Sequence, residues 1–213
     1  MSRGPRGGRE SPCDDIDGVV LAGGRATRMG SVDKGLSLLH GRPLVAHVLD
    51  ALRPQLADCM ISANRNLDVY ARFGAPLVRD AWPDFRGPLA GIDAAAQRSA
   101  RSWLLAAPCD APGLPDDLAA QLWRAARRAG GDAAYAVIDG NPLYPLCLLH
   151  RRRFEALHDA LACGQYAVGR WLTAQNAVAV AIDNWCGPLL NLNTPERLAD
   201  AHTVQPWKPD SPT

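Results

Sequence analysis

Apolar positions along the chain fall in short continuous runs and in one-sided repeats, and the two kinds alternate. Residues 18–21 form an unbroken apolar run of the kind a buried strand shows. Over residues 43–56, Leu44, Val48, Leu52 and Leu56 recur on one helical face, with Pro43 suited to the first helical position. The same reading predicts strands over 59–62, 76–78, 103–107, 133–138, 146–149 and 177–182. It predicts helices over 67–73, from the 87–91 turn to about 99, over 115–129, over about 152–162, and a short one over 168–172. In the 115–129 helix, Leu118, Leu122 and Ala125 are expected to face inward. Thr194 reads as an N-cap with Pro195 at the first position of a last helix.

Strands alternating with helices imply an α/β fold, a mostly parallel sheet covered by helices on both faces. Ligands in such folds lie beyond the carboxyl ends of the strands. A chain of 213 residues falls within the range of one domain. Residues 16–203 are expected to form it, with 1–15 and 204–213 as flexible tails. There is no internal repeat and no linker long enough to divide it.

The interesting groups cluster where strands end. Residues 21–34 read LAGGRATRMGSVDK, an apolar run that breaks into a glycine pair, then an arginine, then a lysine. Gly23 and Gly24 lack Cβ, so the backbone can turn sharply and approach a ligand closely. Amides exposed by such a turn can donate to phosphate oxygens. Arg28 and Lys34 can neutralise a polyphosphate, one as a fork and one as a point charge. Neither a Walker A spacing nor the dinucleotide fingerprint G-x-G-x-x-G is present. Asn64 follows the second strand, Asp80 a short third one, and Asp110 the WLLAA strand. Asp110 has no basic neighbour in sequence, so its carboxylate needs a partner or a metal.

Composition narrows the field. A formal net charge of +1 supplies no long-range field for nucleic acid. The Arg151-Arg152-Arg153 run reads as a solvated helix start. Six cysteines form no C-x-x-C and no zinc spacing. Cys59, Cys109 and Cys147 sit in apolar runs and read as buried thiols suited to a reducing cytoplasm. No apolar stretch reaches the ~18 residues of a membrane span, and the basic start lacks the apolar core of a signal peptide.

The string LAGG-x3-RMG-x2-DK resembles the signature of the molybdenum cofactor guanylyltransferases, within the wider nucleotidyltransferase group. Gly41-Arg42-Pro43-Leu44, Ala63-Asn64-Arg65, Gly87-Pro88-Leu89-Ala90-Gly91, Pro108-Cys109-Asp110 and Asn191-Leu192-Asn193-Thr194-Pro195-Glu196 follow in the same order. The resemblance runs from about Gly18 to Leu198. It implies a Rossmann-like three-layer sandwich of the nucleotide-diphospho-sugar transferase type. It also implies transfer of GMP from GTP to molybdenum-bound molybdopterin, giving the guanine dinucleotide cofactor and pyrophosphate.

By the same resemblance Lys34, Arg28 and Asp110 are the catalytic groups, and Asp110 holds Mg²⁺. Leu21, Ala22, Gly23, Gly24, Lys34, Ser62, Asp80 and Asp110 bind the nucleotide, and Asn191 and Asn193 are candidates for the acceptor side. Asp33 could orient Lys34 or form a plain surface ion pair. The chain departs from the family at Ser62, where asparagine is common, and at Tyr144-Pro145, where His-Pro is common. Expected partners are GTP, molybdopterin and, transiently, molybdoenzymes or their chaperones; a cytoplasmic monomer is expected, with neither nucleic acid nor membrane. The alternatives are a CTP-using molybdopterin cytidylyltransferase, a sugar-phosphate nucleotidyltransferase, and a non-catalytic module that delivers cofactor.

Overall fold

The structure is a computed structural model, and it describes residues 12–23, 33–82, 86–185 and 204–205. In chain order the strands are β1 (Ile16–Leu21), β2 (Leu38–Leu39), β3 (Arg42–Pro43), β4 (Asp58–Ser62), β5 (Leu77–Val78), β6 (Trp103–Pro108), β7 (Ala133–Ile138), β8 (Asn141–His150), β9 (Val178–Ala181) and β10 (Val204–Gln205). The α-helices are α1 (Leu44–Leu52), α2 (Leu67–Ala71), α3 (Pro88–Arg98), α4 (Leu118–Arg128), α5 (Phe154–Ala162) and α6 (Val168–Ala174). Seven strands form one sheet in the order β5-β4-β1-β6-β8-β7-β9, and β8 runs antiparallel to both its neighbours while the other pairs are parallel.

Successive residues of the central strands point to opposite faces, so each strand feeds two cores. Val20, Leu105 and Leu148 join Val45, Leu49 and Leu52 of α1 and Leu118 and Leu122 of α4 on one side. Val19, Leu104 and Leu149 join Leu89 and Ile92 of α3, Leu157 and Leu161 of α5 and Trp171 of α6 on the other. This is the three-layer sandwich that the alternation implied. Both faces of the parallel part are covered, which is why its strands are mostly apolar and do not alternate, with Asp17, Asp58 and Ser62 as the polar exceptions in β1 and β4.

Several boundaries differ from the expectation, and three of the differences bear on the packing. The 43–56 helix ends as α-helix at Leu52 and tightens into a 3₁₀ turn over Arg53–Gln55. Pro54 has no amide to donate and its ring crowds the preceding turn. The 115–129 helix begins at Leu118, and Ala126 is buried where Ala125 is only partly so. The 146–149 strand is the end of a ten-residue strand, β8, that leaves β7 through Asp139 and Gly140. Both turn residues have positive φ, 49° and 74°. An Asp-Gly pair between two strands is the local signal for this tight hairpin.

A small second sheet, β10-β2-β3, pairs Val204–Gln205 with Leu38–Leu39. Thr194 and the helix expected after it lie outside the described residues. No described helix is long and apolar enough to cross a membrane.

Candidate active site

The register of the parallel strands sets the site. Leu21 stands level with Ser62 on β4 and with Pro108 on β6, so the three segments leave the sheet side by side. Two backbone hydrogen bonds continue the pairing past the strand ends. Ala22 N–H donates to the Ser62 carbonyl at 2.9 Å, and Cys109 N–H to the Leu21 carbonyl at 3.1 Å. The exit of β1 at Ala22 and Gly23, the Ser62-Ala63-Asn64-Arg65 segment and the Pro108-Cys109-Asp110 segment are thereby fused into one rim.

The segment carrying the lysine is docked onto this rim. Lys34–Leu36 is a 3₁₀ turn, and Gly35 sits where a Cβ would collide with the Tyr70 hydroxyl. That Cβ would also stand 3.4 Å from Ala22 Cβ and from Cys109 Sγ. Close approach of this backbone to the ends of β1 and β6 therefore requires glycine. The docking brings Lys34 Nζ to 3.8 Å from Asp110 Oδ2, with 38% and 25% of the two side chains exposed. Burial pushes the Asp110 carboxyl up, while the Lys34 charge and its own backbone amide pull it back.

Asp33 neither lies at the surface nor serves as a plain surface ion pair. It is 1% exposed. Its carboxylate accepts from the Tyr70 hydroxyl at 2.7 Å and from Asn66 Nδ2 at 2.8 Å, with Arg65 Nε at 3.5 Å. Burial first, then Cys109 and Asp33 nearby, push the Tyr70 phenol far above its ordinary range. Tyr70 thus stays a proton donor. A buried charge ringed by donors on α2 and its approach fixes the backbone immediately before Lys34. Sequence reasoning missed this anchor, because nothing near Asp33 in sequence announces Tyr70.

Asp80 and Asn64 form a reciprocal pair: Asn64 Nδ2 donates to Asp80 Oδ2 at 2.6 Å, and Asp80 N–H donates to Asn64 Oδ1 at 3.1 Å. Asn64 Nδ2 would lie 3.6 Å from a Cβ on Gly23, so the pair borders the glycine turn. Ser62 is buried, and its Oγ would stand 2.5 Å from a Cβ on Gly91 of α3. Its backbone carbonyl borders the rim while its hydroxyl packs on the helix. Tyr144 packs against Tyr135, with ring centroids 5.2 Å apart, and over Gly169 of α6.

Leu21, Ala22, Gly23, Lys34, Ser62, Asp80 and Asp110 are thus gathered at one edge of the sheet. Gly24, Arg28, Asn191 and Asn193 lie outside the described residues. The buried cysteines take no part as nucleophiles. Burial pushes the Cys59 and Cys147 thiols up to about 12 and Cys109 well above its ordinary value. A thiol so shifted is not a thiolate at neutral pH.

A strand-end rim with a glycine turn, an ammonium and a carboxylate is the equipment of a nucleotidyltransferase. A family model described as the MobA-like NTP transferase domain matches residues 18–179. The chain belongs to this family. A molybdenum cofactor guanylyltransferase of Cupriavidus necator is 40% identical over 197 residues, 89% of this chain and 98% of that one. Among solved structures, the molybdopterin-guanine dinucleotide biosynthesis protein A of Archaeoglobus fulgidus shares the fold. Its TM-score is 0.71 at 23% identity, over 86% of this chain and 95% of that one. A Mycobacterium tuberculosis protein solved in complex with manganese also shares it, with TM-score 0.65 at 18% identity over 88% and 97% of the two chains. The MobA-like chain is a nucleotidyltransferase with a Rossmann-like fold.

Among the described residues no three His, Cys, Asp or Glu side chains stand together to hold a metal ion. Asp110 nonetheless fits a hard cation: it is one desolvated carboxylate at the rim, 3.8 Å from Lys34 Nζ. Mg²⁺ typically takes one or two protein carboxylates and fills its remaining positions with water and phosphate oxygens.

Proposed function

We propose that this protein transfers GMP from GTP to molybdenum-bound molybdopterin, releasing pyrophosphate. The observation that carries the reading is the approach of Lys34 to Asp110, 3.8 Å apart, at the rim formed by the glycine turn. Guanylyltransferases named for this cofactor align with nearly the whole chain.

In the reaction an oxygen of the acceptor's terminal phosphate attacks the α-phosphorus of GTP, and the bond to the β-phosphate breaks. A phosphate monoester is largely ionised at neutral pH, since its second pKa is about 6. The site therefore needs no general base; it needs alignment and charge neutralisation. The backbone of Leu21, Ala22, Gly23 and Gly24 grips the nucleotide, bordered by Ser62 and by the Asp80–Asn64 pair. Lys34 neutralises the phosphates, with Asp33 fixing the backbone that carries it. Arg28 stabilises the leaving pyrophosphate. Asp110 would hold Mg²⁺, which supplies further neutralisation of the triphosphate. Asn191 and Asn193 receive the acceptor. The protein works as a cytoplasmic monomer and meets molybdoenzymes or their chaperones when product leaves.

Transfer of label from α-labelled GTP, and separately CTP, onto molybdenum-loaded molybdopterin tests this. Labelled guanine dinucleotide with little cytosine product is expected. Cytosine product in its place would overturn the base assignment, and no transfer from either would favour a delivery module. Asp110→Ala is expected to lower turnover at least ~100-fold in a folded protein, as loss of a main electrostatic group does. Near-normal activity would sink its metal role.

A further inference from the structure

A second polar cluster lies outside the rim. Asp93 of α3 is 4% exposed, and its carboxylate accepts from Trp82 Nε1 at 3.1 Å and from His158 Nδ1 of α5 at 3.1 Å. The Trp82 and His158 rings lie 5.1 Å apart. The Arg86 guanidinium covers the Trp82 ring at 4.2 Å, approaches the Tyr166 ring at 5.4 Å, and donates to the Leu161 carbonyl at 2.7 Å.

A carboxylate buried in a helix is unfavourable unless it is paired, and helix packing alone would be served at least as well by an apolar residue. The His158 contact joins α3 to α5. The Trp82 contact does something else, because Trp82 is two residues beyond Asp80. Asp80 is in turn locked to Asn64 from both its side chain and its backbone amide. The same helix α3 also backs the rim at Gly91, where a Cβ would stand 2.5 Å from Ser62 Oγ and 3.1 Å from Leu21 Cδ2. Asp93 therefore refers the strand-end carboxylate Asp80 to the helix that supports the other two strand ends.

We infer that Asp93 is a positioning residue for the nucleotide site, holding Asp80 and Asn64 against the glycine turn through the Trp82 indole N–H. The inference rests on the nucleotide reading of that rim and goes beyond it by assigning Trp82 and Asp93 to it. Trp82→Phe removes the N–H and keeps an aromatic ring under Arg86. Loss of one hydrogen bond to a charged group is expected to raise the Kd for Mg-GTP, by calorimetry, and the KM for GTP by about 3- to 10-fold. Turnover at saturating GTP should stay within about twofold, because the reacting groups are untouched. Asp93→Asn keeps an acceptor for Trp82 and should leave Kd within about twofold of the parent.

His158→Phe is the structural control: it removes the hydrogen bond from α5 to Asp93 while keeping an aromatic ring beside Trp82, and should lower Tm without changing Kd. An unchanged Kd in folded Trp82→Phe, or equal rises in Kd for Trp82→Phe and His158→Phe, would overturn the positioning role. A parent protein that binds CTP and not GTP would correct the base, and the same comparison would then be read with CTP. A parent protein that binds neither would overturn both readings.

Discussion

Gly35 and Tyr70 are a pair whose sizes depend on each other. The glycine lets the Lys34 turn lie on the Tyr70 hydroxyl, and that hydroxyl satisfies the buried Asp33. Gly35→Ala should destabilise the protein by about 1–3 kcal/mol, as overpacking does. Tyr70→Phe should destabilise it by a similar ~1.5–3 kcal/mol, because a buried carboxylate loses a donor. The double variant should lose less than the sum, since removing the hydroxyl makes room for the methyl. Urea titration of the four proteins closes this cycle, and strict additivity would show that the two do not touch. At this scale the candidate residues were legible: the glycine pair, Lys34 and Asp110 announce themselves by type and spacing. The role of Asp33 was not, because its donors Tyr70 and Asn66 are brought to it by α2 and the approach to that helix.

Among the elements, α4 shows what periodicity misses. Its first turn is served by Gln55, a 4% exposed side chain from the 3₁₀ turn after α1. Gln55 Oε1 accepts from Ala119 N–H at 3.0 Å, and Gln55 Nε2 donates to the Pro115 carbonyl at 2.8 Å. A helix end without a local side-chain cap must find its partners elsewhere. Gln55→Leu should cost about 1–3 kcal/mol, chiefly by leaving the Ala119 amide buried and unpaired, since the Pro115 carbonyl keeps the Leu118 N–H at 3.2 Å. A loss under a few tenths in urea would mean that water replaces them.

The start of β7 is tied to the 3₁₀ turn Arg151–Arg153, just before α5, by Asp132, which accepts from Arg152 at 2.7 Å and stands 3.0 Å from Arg153. Burial raises the Asp132 carboxyl, but the hydrogen bonds and charge of Arg152, with the charge of Arg153, outweigh it and hold it below its ordinary value. A depressed folded pKa stabilises above the unfolded value of about 3.9 and loses that contribution as pH falls through the folded one. Arg152 is 65% exposed, so screening keeps the effect near ~1 kcal/mol or less. Asp132→Asn should accordingly lower Tm at pH 7 and match the parent near pH 2; an equal deficit at both values would assign the loss to packing.

For the whole molecule, nucleotide binding and stability are linked. A ligand at 100 times its Kd stabilises the native state by ~2.7 kcal/mol. Mg-GTP should therefore raise the Tm of the parent clearly, and that of Lys34→Ala little at the same concentration. A full shift in the variant would remove Lys34 from phosphate binding. The sequence by itself determined the order of the seven main-sheet strands and of the helices between them, and with it the α/β class, because apolar periodicity is a local property; the small β10-β2-β3 sheet it did not announce. It also carried the Asp139-Gly140 hairpin signal, whose consequence, a long antiparallel β8, appears only when the strands pair. The tertiary structure alone decided which residues meet. Lys34 reaches Asp110, Tyr70 reaches Asp33, Gln55 reaches α4 and Trp82 reaches Asp93 across 76, 37, 64 and 11 positions. The packing of helices on the sheet sets these meetings, and no window of neighbouring residues encodes them.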